Sequence, residues 1–251
     1  MAQDLSGQFI LVSGAGRGLG RSTALHLARC GAVVGVSDID PASCDATAQL
    51  ISDAGDVAHS FPADLSRRAN FQKVAAAFSR IGTRIDAVVN NASVLVYEKI
   101  EDVQEDTFAK MVDIGLKGPV WGVQALLAHY DPQRGGAVVN YASPVAYRGY
   151  PNTAIYSSIK GSIVSLTRTL AAELGPRNVR VNAVAPGSVP TPGAMQYVDR
   201  AEYERRARTI PLRRVGSELD NDNAVAFLLS SEAAFITGTV LHVDGGIAAA
   251  I

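Results

Sequence analysis

Short apolar runs alternate with longer amphipathic stretches along this chain, and no other sequence feature limits the possible folds so strongly. Several of the runs are almost wholly apolar, which is typical of strands buried on both faces of a parallel sheet. Repeated strand–helix order with right-handed crossovers predicts an α/β fold, a doubly wound parallel sheet in a single domain over residues 1–251. The predicted strands are Phe9–Val12, Ala32–Val36, Val57–Phe61, Ala87–Val89, Ala137–Asn140, Arg180–Val184 and Val240–Val243, and the predicted helices include Arg21–Cys30, Pro41–Ala54, Arg67–Ile81, Glu105–His129 and Ile155–Leu174.

The composition excludes several classes of protein. Hydrophobic residues make up 47% of the chain, charged residues 19%, and the net charge is -1. Because this charge offers no field for a phosphate polymer or an anionic surface, we expect no nucleic-acid partner and no membrane attachment. No apolar run approaches the roughly 18 residues of a membrane span, and the polar N-terminus does not resemble a signal peptide. Cys30 and Cys44 are the only cysteines, so we expect a cytoplasmic protein without a metal site.

A glycine-rich segment, residues 13–20, follows the first predicted strand and precedes the first helix. Glycines let the backbone turn sharply and approach a pyrophosphate, which the amides at the start of the next helix attract. The strict G-x-G-x-x-G spacing fails, because Leu19 stands at the last glycine position counted from Gly14. Gly14, Gly18 and Gly20 satisfy the spacing G-x-x-x-G-x-G instead. The segment therefore predicts a Rossmann-type dinucleotide site.

Asp38 follows the second predicted strand, 18 residues after Gly20. An acidic residue at that distance accepts hydrogen bonds from the adenosine ribose and repels a 2′-phosphate, which favours NAD(H) over NADP(H). Arg17 favours NADP(H) instead, since a basic residue in the glycine turn could bind the 2′-phosphate. A different interpretation makes Asp38 a turn or helix-capping residue beside Asp40-Pro41. We expect the cofactor to be NAD(H), with NADP(H) left open as the alternative.

Tyr156 alone among the eight tyrosines has a lysine four residues later. Lys160 then lies one helical turn away on the same face. A free tyrosine titrates at about pH 10, and an ammonium together with a bound NAD+ charge would favour tyrosinate. On its own the pair is also what a solvated helix face shows by chance. Ser143 lies 13 residues before Tyr156, just past a predicted strand. This context favours a catalytic tyrosine that exchanges protons over a chance pair.

A series of motifs in order resembles the short-chain dehydrogenase/reductase family over nearly the whole chain. The resemblance implies a nicotinamide-dependent oxidoreductase that interconverts a carbonyl and an alcohol. The matching pieces are the glycine turn at 14–20, Asp38, Asp64-Leu65, residues 90–93, Ser143, Tyr156 with Lys160, residues 186–191, and residues 236–238 through 243–246.

The resemblance also implies a role for each matching residue. Ser143 would hydrogen-bond the substrate oxygen, and Tyr156 would donate or accept its proton. Lys160 would lower the pKa of Tyr156 and hold the nicotinamide ribose. The other cofactor contacts implied are Asp64 and Leu65 beside the adenine, Asn91 and Ala92 along the adenosine side, and Val189 and Thr191 at the carboxamide, in the motif that begins Pro186-Gly187.

Two positions depart from the family pattern. Ser93 replaces a glycine, a change that we expect to have a small effect because serine fits wherever φ is negative. Gly115 replaces an asparagine of the family's catalytic set. That asparagine supports a proton-relaying water largely through a break in the helix and a backbone carbonyl, both of which glycine can supply. We therefore predict that activity survives, the alternative being a crippled proton relay.

Substrate and assembly are inferred from the resemblance as well. Residues about 190–212 form a mobile lid in the family, and the family usually forms tetramers through its two long central helices and its C-terminus. The apolar tail Ile247–Ile251 fits such burial, so we expect a homotetramer. An apolar pocket for a hydrophobic or aromatic ketone or secondary alcohol, or alternatively packing of the lid, is suggested by Val94, Leu95, Tyr147, Met195, Tyr197 and Tyr203.

Two rival functions remain open. A reductase of carrier-bound 3-oxoacyl groups would need an NADPH-type site and a basic docking face, and both Asp38 and the -1 charge argue against it. Five arginines, at 205, 206, 208, 213 and 214, keep that possibility open. A non-catalytic cofactor-binding protein is supported only by Gly115 and opposed by the intact serine, tyrosine and lysine.

Overall fold

A parallel sheet of seven strands forms the centre of the computed structural model, which describes residues 3–250. The strand order is β3-β2-β1-β4-β5-β6-β7. The strands are β1 (Phe9–Ser13), β2 (Val33–Ser37), β3 (Ala58–Ser60), β4 (Ala87–Asn90), β5 (Gly136–Tyr141), β6 (Val179–Pro186) and β7 (Val240–Val243). The α-helices are α1 (Gly18–Arg29), α2 (Pro41–Asp53), α3 (Arg68–Gly82), α4 (Glu105–Val112), α5 (Gly118–His129), α6 (Ala154–Leu174), α7 (Arg200–Thr209) and α8 (Glu218–Leu229).

The core lies on both faces of this sheet, because successive side chains of a strand point to opposite faces. Ile10 and Val12 of β1 pack in a cluster with Leu27 of α1 and Val225 of α8. Leu11, between them, packs on the other face with Phe78 of α3. Each full burial of such a side chain contributes about 1.5–3 kcal/mol. The predicted Rossmann-type, doubly wound parallel sheet is thus confirmed, together with all seven predicted strands.

The strand order reverses between β1 and β4, which places a crevice at the carboxyl ends of the strands. Ser13 at the end of β1 is in register with Ser37 of β2 and with Asn90 of β4. The loops that begin at Gly14, Asp38 and Asn91 therefore leave the sheet side by side. This register collects the sequence-distant motifs at one edge.

The long predicted helix Glu105–His129 is wrong in one respect: α4 and α5 are separated by a π-helical turn, Asp113–Lys117. Pro119 lies four residues after Gly115 and has no amide hydrogen. The α-helical hydrogen bond to the Gly115 carbonyl therefore cannot form, and the amide of Gly118 bonds five residues back to Asp113.

Two helices were not predicted from the sequence. α7 lies within the expected lid, and α8 begins at a capping box in which Ser217 and Asp220 exchange hydrogen bonds. No helix formed by residues 3–250 is long and apolar enough to cross a membrane. Within the same residues, no three His, Cys, Asp or Glu side chains converge as a metal site requires.

Candidate active site

Ser143, Tyr156 and Lys160 come together beyond the end of β5. Tyr156 lies in the first turn of α6, and Lys160 lies one turn later with its Nζ 5.6 Å from the Tyr156 ring centroid. Ser143 lies two residues past β5, and its hydroxyl favours a lower pKa of the Tyr156 phenol. The arrangement can offer a proton and a second hydrogen-bond donor to one substrate oxygen.

Lys160 is buried, with 5% of its surface exposed. Its Nζ donates a hydrogen bond to the backbone oxygen of Tyr141 at 2.7 Å. Burial lowers the pKa of Lys160 to about 8, because an ammonium loses hydration in the interior. The ammonium of Lys160 therefore gives up its proton more readily than that of an exposed lysine.

The pKa of Tyr156 is raised above its ordinary value, chiefly by burial and further by the neighbouring Tyr97. Ser143 opposes this shift but does not outweigh it. Burial, rather than Lys160, thus dominates the pKa of Tyr156 among the protein's own groups. The positive charge of an oxidised nicotinamide nearby would favour the tyrosinate.

Tyr97 is a site residue that the sequence reasoning missed. Its ring centroid lies 6.3 Å from that of Tyr156 and 5.3 Å from that of Tyr197 in the predicted lid segment. The sequence predicts Val94 and Leu95 of the same loop as pocket residues instead. The loop has no periodicity from which side-chain directions could be read, so the one signal that could have identified Tyr97 is the position of the loop after β4.

Two tyrosines assigned to the pocket have other contacts. Tyr203 is buried, and its hydroxyl donates to the carbonyl of Val189 at 3.4 Å, so it fastens α7 to the domain. Tyr147 packs against His242 of β7, with the ring centroids 4.8 Å apart. The alternative that some of these residues pack the lid is therefore the correct one for Tyr203.

The glycine-rich turn is built as a close approach of backbone segments. Gly14 and Gly18 have φ values of +65° and +54°, which L side chains rarely adopt. A Cβ on Gly20 would lie 2.1 Å from the carbonyl oxygen of Gly14. The side-chain amide of Asn91 donates to that oxygen at 2.9 Å and to the Ser13 oxygen at 3.1 Å. Ala92 also borders the turn, with its Cα 2.7 Å from a Cβ on Gly14.

Asp38 faces the same turn. Its Oδ2 accepts the amide hydrogen of Gly16 at 2.8 Å. The helix cap is Asp40, which accepts the Ser43 amide at 3.3 Å at the start of α2, whereas Asp38 also accepts the Asp40 amide at 3.1 Å, as the turn interpretation requires. The pKa of Asp40 is lowered mainly by the Ser43 hydroxyl and, to a smaller degree, by Arg17. Arg17 is thus close to a carboxylate beside the turn.

The remaining predicted cofactor residues lie around this edge with different exposures. Thr191 lies opposite the glycine turn, with its Cβ 3.5 Å from a Cβ on Gly18. Pro186 ends β6, Val189 is buried, and the amide of Gly187 donates to the Val243 oxygen at 3.0 Å.

On the predicted adenine side, Asp64 and Leu65 differ sharply. Asp64 is partly exposed and accepts the Ser66 amide at 3.0 Å. Leu65 is 3% exposed and belongs to the core, so only its backbone can reach a ligand. Ser93 lies outside the left-handed region, as its substitution for glycine requires.

The π-helical turn places Gly115 beside α6. Gly115 is buried, and a Cβ added there would lie 2.9 Å from Cγ2 of Ile159, next to Lys160. Asp113 pairs with Lys117 at 2.5 Å and stays partly exposed. The break in the helix that the sequence led us to expect at Gly115 is present, and the carbonyl of Gly115 lacks its α-helical donor.

Restoring an asparagine at this position should not increase activity. We expect Gly115→Asn to change turnover by less than about tenfold, because the break and the carbonyl exist without the side chain. The crowding at Ile159 should cost about 1–3 kcal/mol of unfolding free energy. Gly115→Ala adds the same Cβ without the amide and serves as the control. A rise in turnover above about tenfold for the asparagine variant alone would show that the missing side chain matters.

Comparison with known proteins agrees with this geometry. The family described as enoyl-(acyl carrier protein) reductase matches residues 14–248. The 2-(S)-hydroxypropyl-CoM dehydrogenase 3 of Xanthobacter autotrophicus is 34% identical, over 99% of this chain and 100% of that protein. A 3-ketoacyl-(acyl-carrier-protein) reductase from Brucella melitensis, complexed with NADH, superposes with a TM-score of 0.91 at 32% identity, covering 98% of this chain and 100% of that one. A 7α-hydroxysteroid dehydrogenase complexed with NADH and 7-oxo glycochenodeoxycholic acid superposes with a TM-score of 0.93 at 27% identity, covering 97% and 95% of the two chains. The chain is therefore an oxidoreductase that belongs to the short-chain dehydrogenase/reductase family.

Proposed function

We propose that this protein is an NAD(H)-dependent alcohol dehydrogenase or carbonyl reductase that interconverts a secondary alcohol and a ketone. The observation that carries the proposal is the convergence of Ser143, Tyr156 and Lys160 beside the crevice at which the strand order reverses. The dinucleotide would be held by the glycine turn and the free amides at the start of α1, which suit a pyrophosphate. When bound, the nicotinamide supplies or accepts the hydride.

The chain's own residues would manage the proton. In the reductive direction the Tyr156 hydroxyl donates its proton to the substrate oxygen, while Ser143 donates a second hydrogen bond to that oxygen. In the oxidative direction the Tyr156 oxygen takes the alcohol proton. Lys160 would hold the nicotinamide ribose, and its ammonium favours the tyrosinate.

The direct test is a turnover assay that follows the absorbance of the reduced nicotinamide with bulky and small ketones. We expect turnover with NADH, fastest with hydrophobic or aromatic ketones. The aromatic neighbours Tyr97 and Tyr197, together with the exposed Met195, support that substrate class. NADH binding without turnover on any ketone would favour the non-catalytic alternative.

Asp38 should decide the choice between the two nicotinamide cofactors. A 2′-phosphate beside its carboxylate would be repelled, so we expect Asp38→Ser to raise the NADPH/NADH ratio of kcat/KM by about tenfold or more. The control is Asp40→Ser, which keeps a capping residue at α2 while removing a neighbouring charge. Comparable ratios in the wild type and the Asp38 variant would contradict the assignment.

Carrier-bound acyl groups are less well supported as substrates. Arg205 and Arg206 both pair with Glu202, at 2.6 Å and 2.8 Å, and Arg214 pairs with Asp220 at 2.7 Å. These pairs neutralise much of the basic surface that a docking carrier would need. The same ketone panel should include a 3-oxoacyl thioester, and strong preference for it would reverse this choice.

We also propose a homotetramer built through α4, α5 and α6 and the C-terminal segment, in the cytoplasm. Phe108 of α4 is 45% exposed and Phe235 is fully exposed, which leaves apolar surface for partner subunits. The last residue of the predicted apolar tail, Ile251, lies outside the described residues. Light scattering should give four times the chain mass at micromolar concentration, and a monomer there would refute the assembly.

A further inference from the structure

A carboxylate outside the predicted site is buried between two helices. Asp222 of α8 is 2% exposed and contacts α1. The Ser22 hydroxyl donates to its Oδ2 at 2.5 Å, and the Thr23 hydroxyl donates to its Oδ1 at 2.8 Å. Neither the proposed proton transfer nor the proposed dinucleotide contacts use these residues.

The hydrogen bonds continue from this carboxylate to the catalytic lysine. The Thr23 hydroxyl lies 2.8 Å from the hydroxyl of Tyr141, the last residue of β5. The backbone oxygen of the same tyrosine accepts the hydrogen bond from Lys160 at 2.7 Å. Asp222, Thr23, Tyr141 and Lys160 therefore form one buried chain that joins α8, α1, β5 and α6.

The carboxylate sets the direction of this chain. An ionised carboxylate only accepts hydrogen bonds, so Thr23 must donate its single hydroxyl hydrogen to Asp222. Thr23 can then only accept from Tyr141, which makes the tyrosine the donor. With its hydroxyl held at one end and its ring buried, Tyr141 has one orientation at the end of β5.

Keeping a charge at this position has a cost. Burial raises the pKa of Asp222 to about 6, the Ser22 and Thr23 hydroxyls lower it, Glu218 on the same helix raises it, and Arg29 of α1 lowers it. An apolar side chain would avoid that penalty while filling the same space. A perturbed, buried ionisable group that is linked to a catalytic residue suggests a functional reason for its presence.

We propose that Asp222 is a positioning residue for Lys160, acting through Thr23 and Tyr141 to hold the backbone oxygen that receives the lysine's hydrogen bond. The assignment rests on the proposed catalytic role of Lys160. Because Thr23 belongs to α1, the same chain aligns the helix proposed to bind the pyrophosphate with the lysine proposed to hold the nicotinamide ribose.

The test breaks the series of hydrogen bonds from Asp222 to Lys160 without changing the charge of the protein. Thr23→Val and Tyr141→Phe each remove one hydroxyl and keep the shape of the side chain. Ser22→Ala is the control, since it removes a hydroxyl from the same carboxylate outside the path to Lys160. The readout is the NMR titration of Lys160 in protein with labelled lysine side chains, assigned by its loss in Lys160→Met. The chain has only five lysines, which keeps the spectrum simple.

We expect the pKa of Lys160 to fall by about half a unit or more in both path variants, because a displaced carbonyl stabilises the ammonium less. It should stay within about 0.2 units of the wild-type value in Ser22→Ala. The path variants should also lower kcat about three- to tenfold with little change in KM for the ketone. An unchanged Lys160 titration in Thr23→Val and Tyr141→Phe would overturn the proposal.

Asp222→Asn separates positioning from stability. Asparagine still accepts from Thr23 and can donate to Ser22, but it carries no charge. Because the pKa of Asp222 is raised on folding, its contribution to wild-type stability is lost as the pH rises through about 6. The variant should therefore melt above the wild type at pH 7, with the difference vanishing towards pH 4. Because asparagine keeps the acceptor for Thr23, the Lys160 titration should stay at its wild-type value in this variant, which separates loss of the charge from loss of the path.

The experiment also separates this inference from the proposed function. If no ketone were turned over by the wild type, the Lys160 titration would still report whether the chain positions the lysine. Normal turnover with an unmoved titration in the path variants would leave the function intact and refute the positioning role.

Discussion

Tyr156→Phe should lower turnover about a thousandfold while leaving NADH binding nearly unchanged. The substitution removes only the hydroxyl that would exchange a proton with the substrate oxygen, and Ser143 cannot replace it because its own pKa is far too high for that exchange. The ring, its contact with Tyr97 and the hydrogen bond of Lys160 to Tyr141 all remain. The measurements are steady-state turnover and NADH binding by fluorescence.

The matched control for this variant is Tyr130→Phe. Tyr130 lies after α5, and its hydroxyl donates to the carbonyl of Arg177 at 3.5 Å, away from Tyr156 and Lys160. We expect turnover within about twofold of wild type for this change. Substantial turnover in Tyr156→Phe would assign the proton transfer to another group and would contradict the proposed mechanism.

Gly20→Ala should abolish NADH binding, with an increase in Kd of about a hundredfold or more. The new Cβ would lie 2.1 Å from the Gly14 oxygen and 2.3 Å from the Asn91 side-chain nitrogen. Since the Gly14 oxygen is a backbone atom of the turn, the clash can be relieved only if the turn itself moves. The same strain should lower the free energy of unfolding by about 1–3 kcal/mol.

Gly161→Ala is the control for a glycine that is not confined in this way. Gly161 lies inside α6, and an added Cβ there meets nothing within 4 Å. Alanine should stabilise the helix by about 0.5–1 kcal/mol and leave NADH binding unchanged. Fluorescence titration and urea unfolding of both variants test the pair, and wild-type NADH affinity in Gly20→Ala would refute the close-approach argument.

Elements that depend on local pattern were predictable. Most strands could be recognised because both faces of the sheet are covered, so that they are nearly all apolar; the partly buried edge strand β3, Ala58–Ser60, is the exception. α8 was missed for the opposite reason: its buried face carries the polar side chains of Asn221 and Asp222, which break the apolar periodicity. The role of Asp38 could not be separated from that of Asp40 until the register of β1 and β2 placed Asp38 against Gly16.

The sequence by itself determined the fold class, because it follows from the periodicity of the strands and helices, and the resemblance of its ordered motifs to the family predicted the dinucleotide turn, Ser143, Tyr156 and Lys160. Only the tertiary structure decided which groups surround them: Tyr97 against Tyr156, Ile159 against Gly115, and the chain from Asp222 to Lys160. The pKa values of Tyr156 and Lys160 belong to this second group, since they depend on burial by segments far apart in the sequence. Desolvation is a property of packing, and packing between distant elements leaves no local pattern to read.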